Sequence, residues 1–481
     1  MKNRLPAGAW LGMCGSLALA LGQVLLLAAY NQNVAEDGWA QAVVRAFYAD
    51  HAYGAITALG VLLLIGGWAL VRGEFQRGNP RWLSILLMWV APLLPVLGVL
   101  STDSALYAEF GYMQLAGLDP YSTGLGSVAG PFAHDGSWVG MTAAYPAFAL
   151  RLMAACVWLG GCHWYWGIAA MRLLALAGLA LLVWGLSDIA PRIGVDKRFA
   201  LWLGAFNPIV IVHGVGGMHV DLLMAGLCAA GLALAYRHGG FIWGALVVGL
   251  AAGVKQQALL AAIPVAIVSA RTALDWGRTV LRSAVGVLIS AAVFVLGSFA
   301  VGLSHGWLKE LDTPTRYDTP GTLTLSYRAV TAFFNFFAVP APESLLPSLK
   351  TLSLVVSAGL LLFAYFRYAR TRPYLFLAAG ALVATFGLSG TREWYVTMFI
   401  CLLPLANPGK AMCRAASLIV PFLALTAAFH SYQGWQVMEA MYVCAGVALA
   451  VNAAGWLVKP AKPANLAQSA PAAAGSDERM G

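Results

Sequence analysis

The run WLSILLMWVAPLLPVLGVL (82–100) is apolar almost throughout and stops at Ser101-Thr102-Asp103-Ser104. A bilayer-crossing helix needs about 20 predominantly apolar residues, and this run meets that length. Comparable runs recur from Leu11 to Ala29 and on toward the C-terminus, so the same reading extends over the chain. Composition agrees: 60% of the 481 residues are hydrophobic, 10% are charged and mean hydropathy is +0.75, values incompatible with an ordinary soluble domain. The fold class is an all-α polytopic membrane protein.

A formal net charge of +9 raises nucleic acid as a partner. The basic residues, however, fall in short loops between apolar runs, where they set orientation and meet anionic headgroups. Membrane lipid is the expected partner and nucleic acid is excluded. The seven cysteines sit mostly within apolar runs and show no CxxC spacing that would hold a metal; Cys156 and Cys162 do not share a helical side and are read as unpaired. Lys2 and Arg4 precede an apolar run long enough to span and without a convincing cleavage site, which reads as a retained first helix.

Loop charge then orients the spans. Lys2 and Arg4 place the N-terminus in the cytoplasm, Glu36, Asp37 and Asp50 suit an outer loop, and Arg72, Arg77 and Arg81 return the chain inside, which leaves Asp103 outside. A first long outer loop, about 102–163, carries Asp103, Glu109, Asp119 and Asp135, with no Lys or Arg up to Met141. Residues 142–159, which hold Tyr145-Pro146 and Arg151, are expected to lie along the surface as an interfacial helix; if they crossed, Arg192, Lys197 and Arg198 would be forced outside. The segments 200–236 and 241–270 are each too long for one span and are interrupted, the first at His213 to Asp221, the second at Lys255-Gln256-Gln257. Each is expected to form a broken hairpin whose break faces outward and lines a cavity, since irregular backbone at membrane depth needs such cover.

A helix at about 280–303 leads to a second outer loop at about 304–350, containing Trp307, Asp312, Arg316, Asp318 and Arg328. Five further helices follow, with Arg367, Arg370 and Arg372 inside, Thr391 to Glu393 outside, Lys410 and Arg414 inside, and Ser431 to Gly434 outside. The count is about 13–14 transmembrane helices with both termini cytoplasmic. Residues 1–458 form one membrane domain; 459–481, rich in Ala, Pro, Ser and charge, are expected to be a disordered cytoplasmic tail.

A carboxylate at an apolar boundary is costly and needs a reason. Asp103 is placed to take a proton from a hydroxyl of a lipid-borne substrate, and it is equally well placed to cap a helix at 104–116. Gly117-Leu118-Asp119-Pro120-Tyr121 is first a turn signature. His213, His219 and Asp221 read as polar cavity lining rather than a metal site, because the intervening glycines leave their directions undefined. Lys255 is either paired with an acid or directed at a phosphate, and Arg392 either binds phosphate or pairs with Glu393. Trp307, Tyr317, Tyr327, Trp394 and Tyr395 read as interfacial belt aromatics, with stacking on a sugar as the alternative.

Several of these features occur in one order: Asp103, Tyr107 and Gly117 to Tyr121; Asn207-Pro208, His213, Gly216-Gly217, His219 and Asp221; Gly253-Val254-Lys255; Trp394-Tyr395. The set resembles the polyprenol-phosphomannose-dependent alpha-1,6-mannosyltransferases of actinobacterial lipomannan and lipoarabinomannan assembly, in the GT-C class of integral membrane glycosyltransferases. The chain departs from that family at Tyr145-Pro146, which lacks a fuller Ser-Pro-Tyr-Gly-Pro, and at Lys255-Gln256-Gln257, which replaces a more apolar neighbourhood.

The resemblance implies a GT-C-type bundle in the plasma membrane with its active site on the extracytoplasmic side. It implies inverting transfer of mannose from polyprenyl-phosphate-mannose to a mannan or lipomannan acceptor on the outer leaflet, without a nucleotide sugar. It matches Asp103 to the family's catalytic carboxylate, read here as the base; from their chemistry, Lys255 and Arg392 are assigned to the donor phosphate, and Tyr107, Asp119, Tyr121, His213, His219, Asp221, Trp394 and Tyr395 to the sugar pocket. No cofactor is expected and no metal is indicated. The alternatives are another polyprenyl-phosphate sugar such as arabinose, a lipid-linked sugar transporter or flippase, and a non-catalytic assembly subunit.

Overall fold

The computed structural model describes residues 5–30, 52–77, 81–133, 138–270, 272–300, 302–303, 305–308, 322–387, 392–407 and 409–430. The expectations for Glu36, Asp37, Asp50, His134, Asp135, Asp312, Arg316, Tyr317, Asp318, Thr391, Ser431 to Gly434 and the tail at 459–481 lie outside the described residues. Among those residues the chain is helical and has no strand. Five helices are long and apolar enough to cross a membrane, six if one pair bent by 107° counts as a single span, and further apolar helices are shorter.

The first two helices, α1 (Ala7–Tyr30) and α2 (Ala52–Arg77), pack along their length. Gly8, Gly15 and Gly22 recur a heptad apart on α1, and a Cβ on Gly15 would lie 2.7 Å from the Gly60 carbonyl oxygen. Small residues let backbones approach in lipid, where apolar burial gives no drive for association. The sequence reading took 82–100 as one spanning run, but α3 (Trp82–Val90) gives way to a 3-10 turn at Ala91–Leu93 and regular structure ends there. Pro92 and Pro95 explain the stop, since neither offers an N–H to continue the ladder. Residues 94–102 run on as irregular chain, buried from Val96 to Val99, into α4 (Asp103–Leu115).

α5 (Ala147–Leu159) begins after Pro146, where Tyr145-Pro146 was expected to start a helix. It has 13 residues, about 20 Å at 1.5 Å per residue and short of the ~30 Å hydrocarbon core. The long helix α6 (Trp164–Arg192) packs on α8 (Asp221–Ala235), with Gly178 and Gly226 so close that a Cβ on the latter would fall 2.2 Å from the Gly178 oxygen. Between them come α7 (Lys197–Gly204) and a π-helical turn at Val210–Gly216. Trp68 of α2 and Trp202 of α7 stack with centroids 4.5 Å apart, each indole N–H donating to the other's backbone oxygen at 2.9 Å.

The second broken element is α9 (Gly240–Val254), Lys255 in extended conformation, a 3-10 turn at Gln256–Ala261 and α10 (Ala262–Val268). Both expected breaks are therefore present. Arg192 and Arg237 meet on one carboxylate, Asp188, each at 2.9 Å, so the loops after α6 and α8 share a face. The helix expected at about 280–303 is α11 (Trp276–Ala300). The loop expected at about 304–350 is interrupted by α12 (Thr322–Phe336), and α13 (Leu345–Ala364) begins before its predicted end. α14 (Pro373–Gly387), a 3-10 turn at Glu393–Val396, α15 (Thr397–Leu402) and α16 (Lys410–His430) complete the described chain.

Candidate active site

Two irregular segments that are distant in sequence are tied together beneath the site. The Val99 N–H donates to the Gly216 oxygen at 2.9 Å. From α6, the buried Arg172 guanidinium donates to the Val96 oxygen through one terminal nitrogen and to the Val215 oxygen through the other. The stretch leading to Asp103 and the turn leading to His219 are thus held by one side chain. Each also contains a left-handed residue that is not glycine: Leu100 at φ 56° and Met218 at φ 58°. Such conformations cost of order 1–3 kcal/mol and persist where neighbours fix them, as both segments are fixed here.

Asp103 is the first residue of α4 and caps nothing. Thr102 occupies the N-cap position without a side-chain bond, and the Asp103 N–H itself donates to Ser101 Oγ at 3.1 Å. The cap reading of Asp103 is therefore overturned: the turn before it directs its carboxylate inward. There Oδ2 lies 3.3 Å from His219 Nδ1 and accepts from the Tyr107 hydroxyl at 3.4 Å. Tyr145 O–H donates to the Tyr107 oxygen at 3.3 Å, with the two rings edge to face. Burial works to raise the Asp103 carboxyl, but the adjoining His219 and the charges of Arg392 and Lys255 outweigh it and hold the group below its ordinary value.

His219 stacks on Trp394 with ring centroids 3.8 Å apart and an interplanar angle of 14°. His213, fully buried in the π turn, has its ring 5.7 Å from Trp394. Two residues beyond His219, Asp221 opens α8 and pairs with Lys255, Oδ1 to Nζ 2.6 Å. The same ammonium sits 3.7 Å above the Tyr395 ring. Lys255 can reach both because its extended backbone breaks the helix at that point. Of the two alternatives left open for Lys255, the structure places it with an acid. Trp394 and Trp307 are interior, which corrects their reading as belt aromatics: Trp394 is 8% exposed and Trp307, packed on Phe294, 5%, while Tyr395 is half-buried against Lys255.

The Arg392 guanidinium lies 5.8 Å from the Trp394 ring, and among the described residues it pairs with no carboxylate, Glu393 included. It lines a cavity of about 340 Å³ together with Asp103, Ser101, Thr102, Trp138 and Trp394. Asp119 does not join this group: it is exposed, and Oδ1 accepts from the Tyr121 N–H at 3.0 Å, which fixes the predicted turn. Tyr121 is one link further out, its hydroxyl donating to the Tyr145 oxygen at 2.8 Å. Among the described residues no three His, Cys, Asp or Glu side chains converge as metal ligands would.

Arg172, Tyr145 and Trp138 were not singled out for the site from sequence. Arg172 carried a usable signal, a lone guanidinium within the apolar run 164–186. Tyr145 and Trp138 carried none beyond residue type, because only the fold brings them to Tyr107 and Asp103.

The arrangement offers an ionised carboxylate beside an imidazole, an aromatic wall and a cation in a small cavity, suited to deprotonating a hydroxyl beside an anionic group. The family model for the alpha-(1->6)-mannopyranosyltransferase N-terminal domain matches residues 9–271, more than half of the chain. That range holds Asp103, Arg172, His213, His219, Asp221 and Lys255; Arg392 to Tyr395 lie beyond it. Alpha-(1->6)-mannopyranosyltransferase A of Corynebacterium glutamicum is 27% identical over 409 residues, 76% of this chain and 81% of the relative. The protein of the same name from Mycobacterium tuberculosis is 34% identical over 268 residues, 53% of this chain and 51% of the relative. Alpha-(1->6)-mannopyranosyltransferase B of C. glutamicum is 24% identical over 393 residues, 73% and 65% of the two chains. A polytopic helical membrane protein with this site and these relatives is a mannosyltransferase, and the chain belongs to the alpha-(1->6)-mannopyranosyltransferase family.

Proposed function

We propose that the protein transfers mannose from polyprenyl-phosphate-mannose to an alpha-1,6-mannan acceptor of cell-envelope lipoglycan, with inversion at the anomeric carbon and Asp103 as general base. The observation that carries this reading is the Asp103 carboxylate, kept ionised beside His219 in a cavity that also holds Arg392. In the transfer, an acceptor hydroxyl oxygen forms a bond to C1 of mannose as the bond from C1 to the phosphate oxygen breaks. The hydroxyl proton goes to Asp103, and the electron pair of the broken bond leaves with polyprenyl phosphate. A base positioned this way contributes roughly 10²–10⁴-fold.

Lys255 and Arg392 supply positive charge near the leaving phosphate. Lys255 is already compensated by Asp221, so Arg392 carries the larger share. Trp394 faces the sugar, with Tyr107, His213, His219, Asp221 and Tyr395 packed behind the pocket wall and Tyr121 and Asp119 supporting it from the loop. The loop charges favour cytoplasmic termini and a site on the extracytoplasmic side, with residues 1–458 as one catalytic membrane domain.

The test is transfer of labelled mannose from synthetic polyprenyl-phosphate-mannose to a short alpha-1,6-mannoside by purified wild type and Asp103→Asn. Activity in the first and loss of at least 10²-fold in the second is expected. Wild-type rates in Asp103→Asn refute the base, and transfer of arabinose but not mannose refutes the donor.

A further inference from the structure

We propose that the polyprenyl chain of the donor leaves the active site between α1, α2 and α16, along a wall that includes Leu26, Thr57 and Ala428, with its phosphate on Arg392. This deepens the reading above and rests on it for the identity of the donor. The cavity beside Asp103 is lined by two chemically different ends. Ser101, Thr102, Asp103 and Arg392 supply one; the other is mostly apolar, with Gly22, Leu26, Gly54 and Ala428 beside Tyr53, Thr57 and the single amide of Gln23. Its volume of about 340 Å³ is at the low end of the ~300–1,000 Å³ typical of small-molecule sites. That room suits a sugar phosphate and not a polyprenyl chain, so the chain needs an apolar exit to lipid.

The α1 side meets that need. Helix α1 carries no charged residue from Ala7 to Tyr30, and Gly22 and Gly54 add no side chain to the wall. Thr57 spends its hydroxyl on the Tyr53 oxygen of its own helix at 2.7 Å. Leu26 lines this wall and is half-buried. On the opposite flank of the site, the Lys255 ammonium is bound to Asp221 and Tyr395, and a chain leaving there would pass over a buried ion pair. Charge complementarity fixes the head: Arg392 is a cation in the cavity without a carboxylate partner among the described residues, and a phosphate monoanion is what it fits.

The deciding experiment is photo-crosslinking of the full-length protein in lipid nanodiscs with a polyprenyl phosphate bearing a diazirine in its second isoprene unit, followed by peptide mapping. Label on α1 near Leu26 or on α2 near Thr57, displaced by unlabelled polyprenyl phosphate, is expected; label confined to α8 to α11 overturns the path. In kinetics, Leu26→Trp should raise KM at least ~10-fold for a long-chain donor and leave a donor with a single-isoprene chain unchanged, whereas Arg392→Gln should weaken both by roughly 10- to 100-fold. An equal effect of Leu26→Trp on both donors overturns the proposal. Absence of mannosyl transfer by wild type would sink the functional reading alone, because the crosslink still reports where the chain lies.

Discussion

Replacing Arg172 by Met tests whether the two segments beneath the site are held in register by one guanidinium. The wild-type side chain is 4% exposed and donates to the Val96 and Val215 oxygens. Two carbonyls left dry cost about 1–3 kcal/mol each. Against this, Arg172 has backbone carbonyls and no carboxylate as partners, so removing it also relieves a charge desolvation of several kcal/mol. The opposing terms, about 2–6 kcal/mol against several, are of similar size, so the net change in stability should be small, within about 2 kcal/mol. Activity should respond more strongly. With the clamp gone, the backbone tie between the Asp103 segment and the His219 turn is reduced to the Val99 to Gly216 bond, beside the contact of Asp103 with His219. A displacement of about 1 Å at a reacting group costs on the order of 10²-fold. The expected outcome in the labelled-mannose assay is a kcat reduced roughly 30- to 100-fold with KM for donor nearly unchanged. Arg172→Lys, with a single ammonium that can serve one carbonyl well, should fall between. Thermal unfolding in the same detergent gives the stability term. Wild-type kcat in Arg172→Met, whatever its melting temperature, refutes the positioning role.

The pH profile follows from the electrostatics of Asp103. Its carboxyl is held below the ordinary value of 3.8, so the base stays ionised as pH falls and the acid limb of kcat/KM should lie below that value. Linkage gives the same sign: stability from this group is fully present above its unfolded value near 3.9 and is lost as pH falls through the depressed folded value. His219→Gln removes a principal cause of the shift and should move the acid limb upward; an unmoved limb argues that Asp103 is not the titrating base. For the second pair, Lys255→Met strands Asp221 in the interior at a cost of about 3–5 kcal/mol. The double variant Lys255→Met/Asp221→Leu should regain most of this in equilibrium unfolding, and a double variant no more stable than the single would show that the pair is uncoupled.

Much of the candidate site was legible as an ordered set of residue types. Asp103, His213, His219, Asp221, Lys255, Trp394 and Tyr395 each stood out because a polar or amphipathic group interrupted an apolar run, which is costly in lipid. What such a signal lacks is partnership. Nothing local joins Asp103 to His219 rather than Lys255, or Lys255 to Asp221 rather than a phosphate, since each partner lies on a different segment of the chain. The misread belt aromatics have the same origin: a Trp beside a helix start looks alike whether it faces headgroups or a buried imidazole.

Hydropathy alone determined that this is a helical membrane protein, and polar interruptions alone marked the two breaks at His213 to Asp221 and Lys255 to Gln257. Both are one-dimensional properties, set by the cost of exposing backbone or charge to hydrocarbon at a given point along the chain. The tertiary structure decided which loops meet. It carried the irregular stretch at 94–102 against the π turn through Arg172, turned Asp103 from a helix cap into an inward carboxylate, and left Arg392 facing the cavity while Lys255 was consumed by Asp221. Those outcomes depend on helix packing at Gly178 with Gly226 and at Gly15 with Gly60, contacts between residues far apart in sequence that no local pattern encodes.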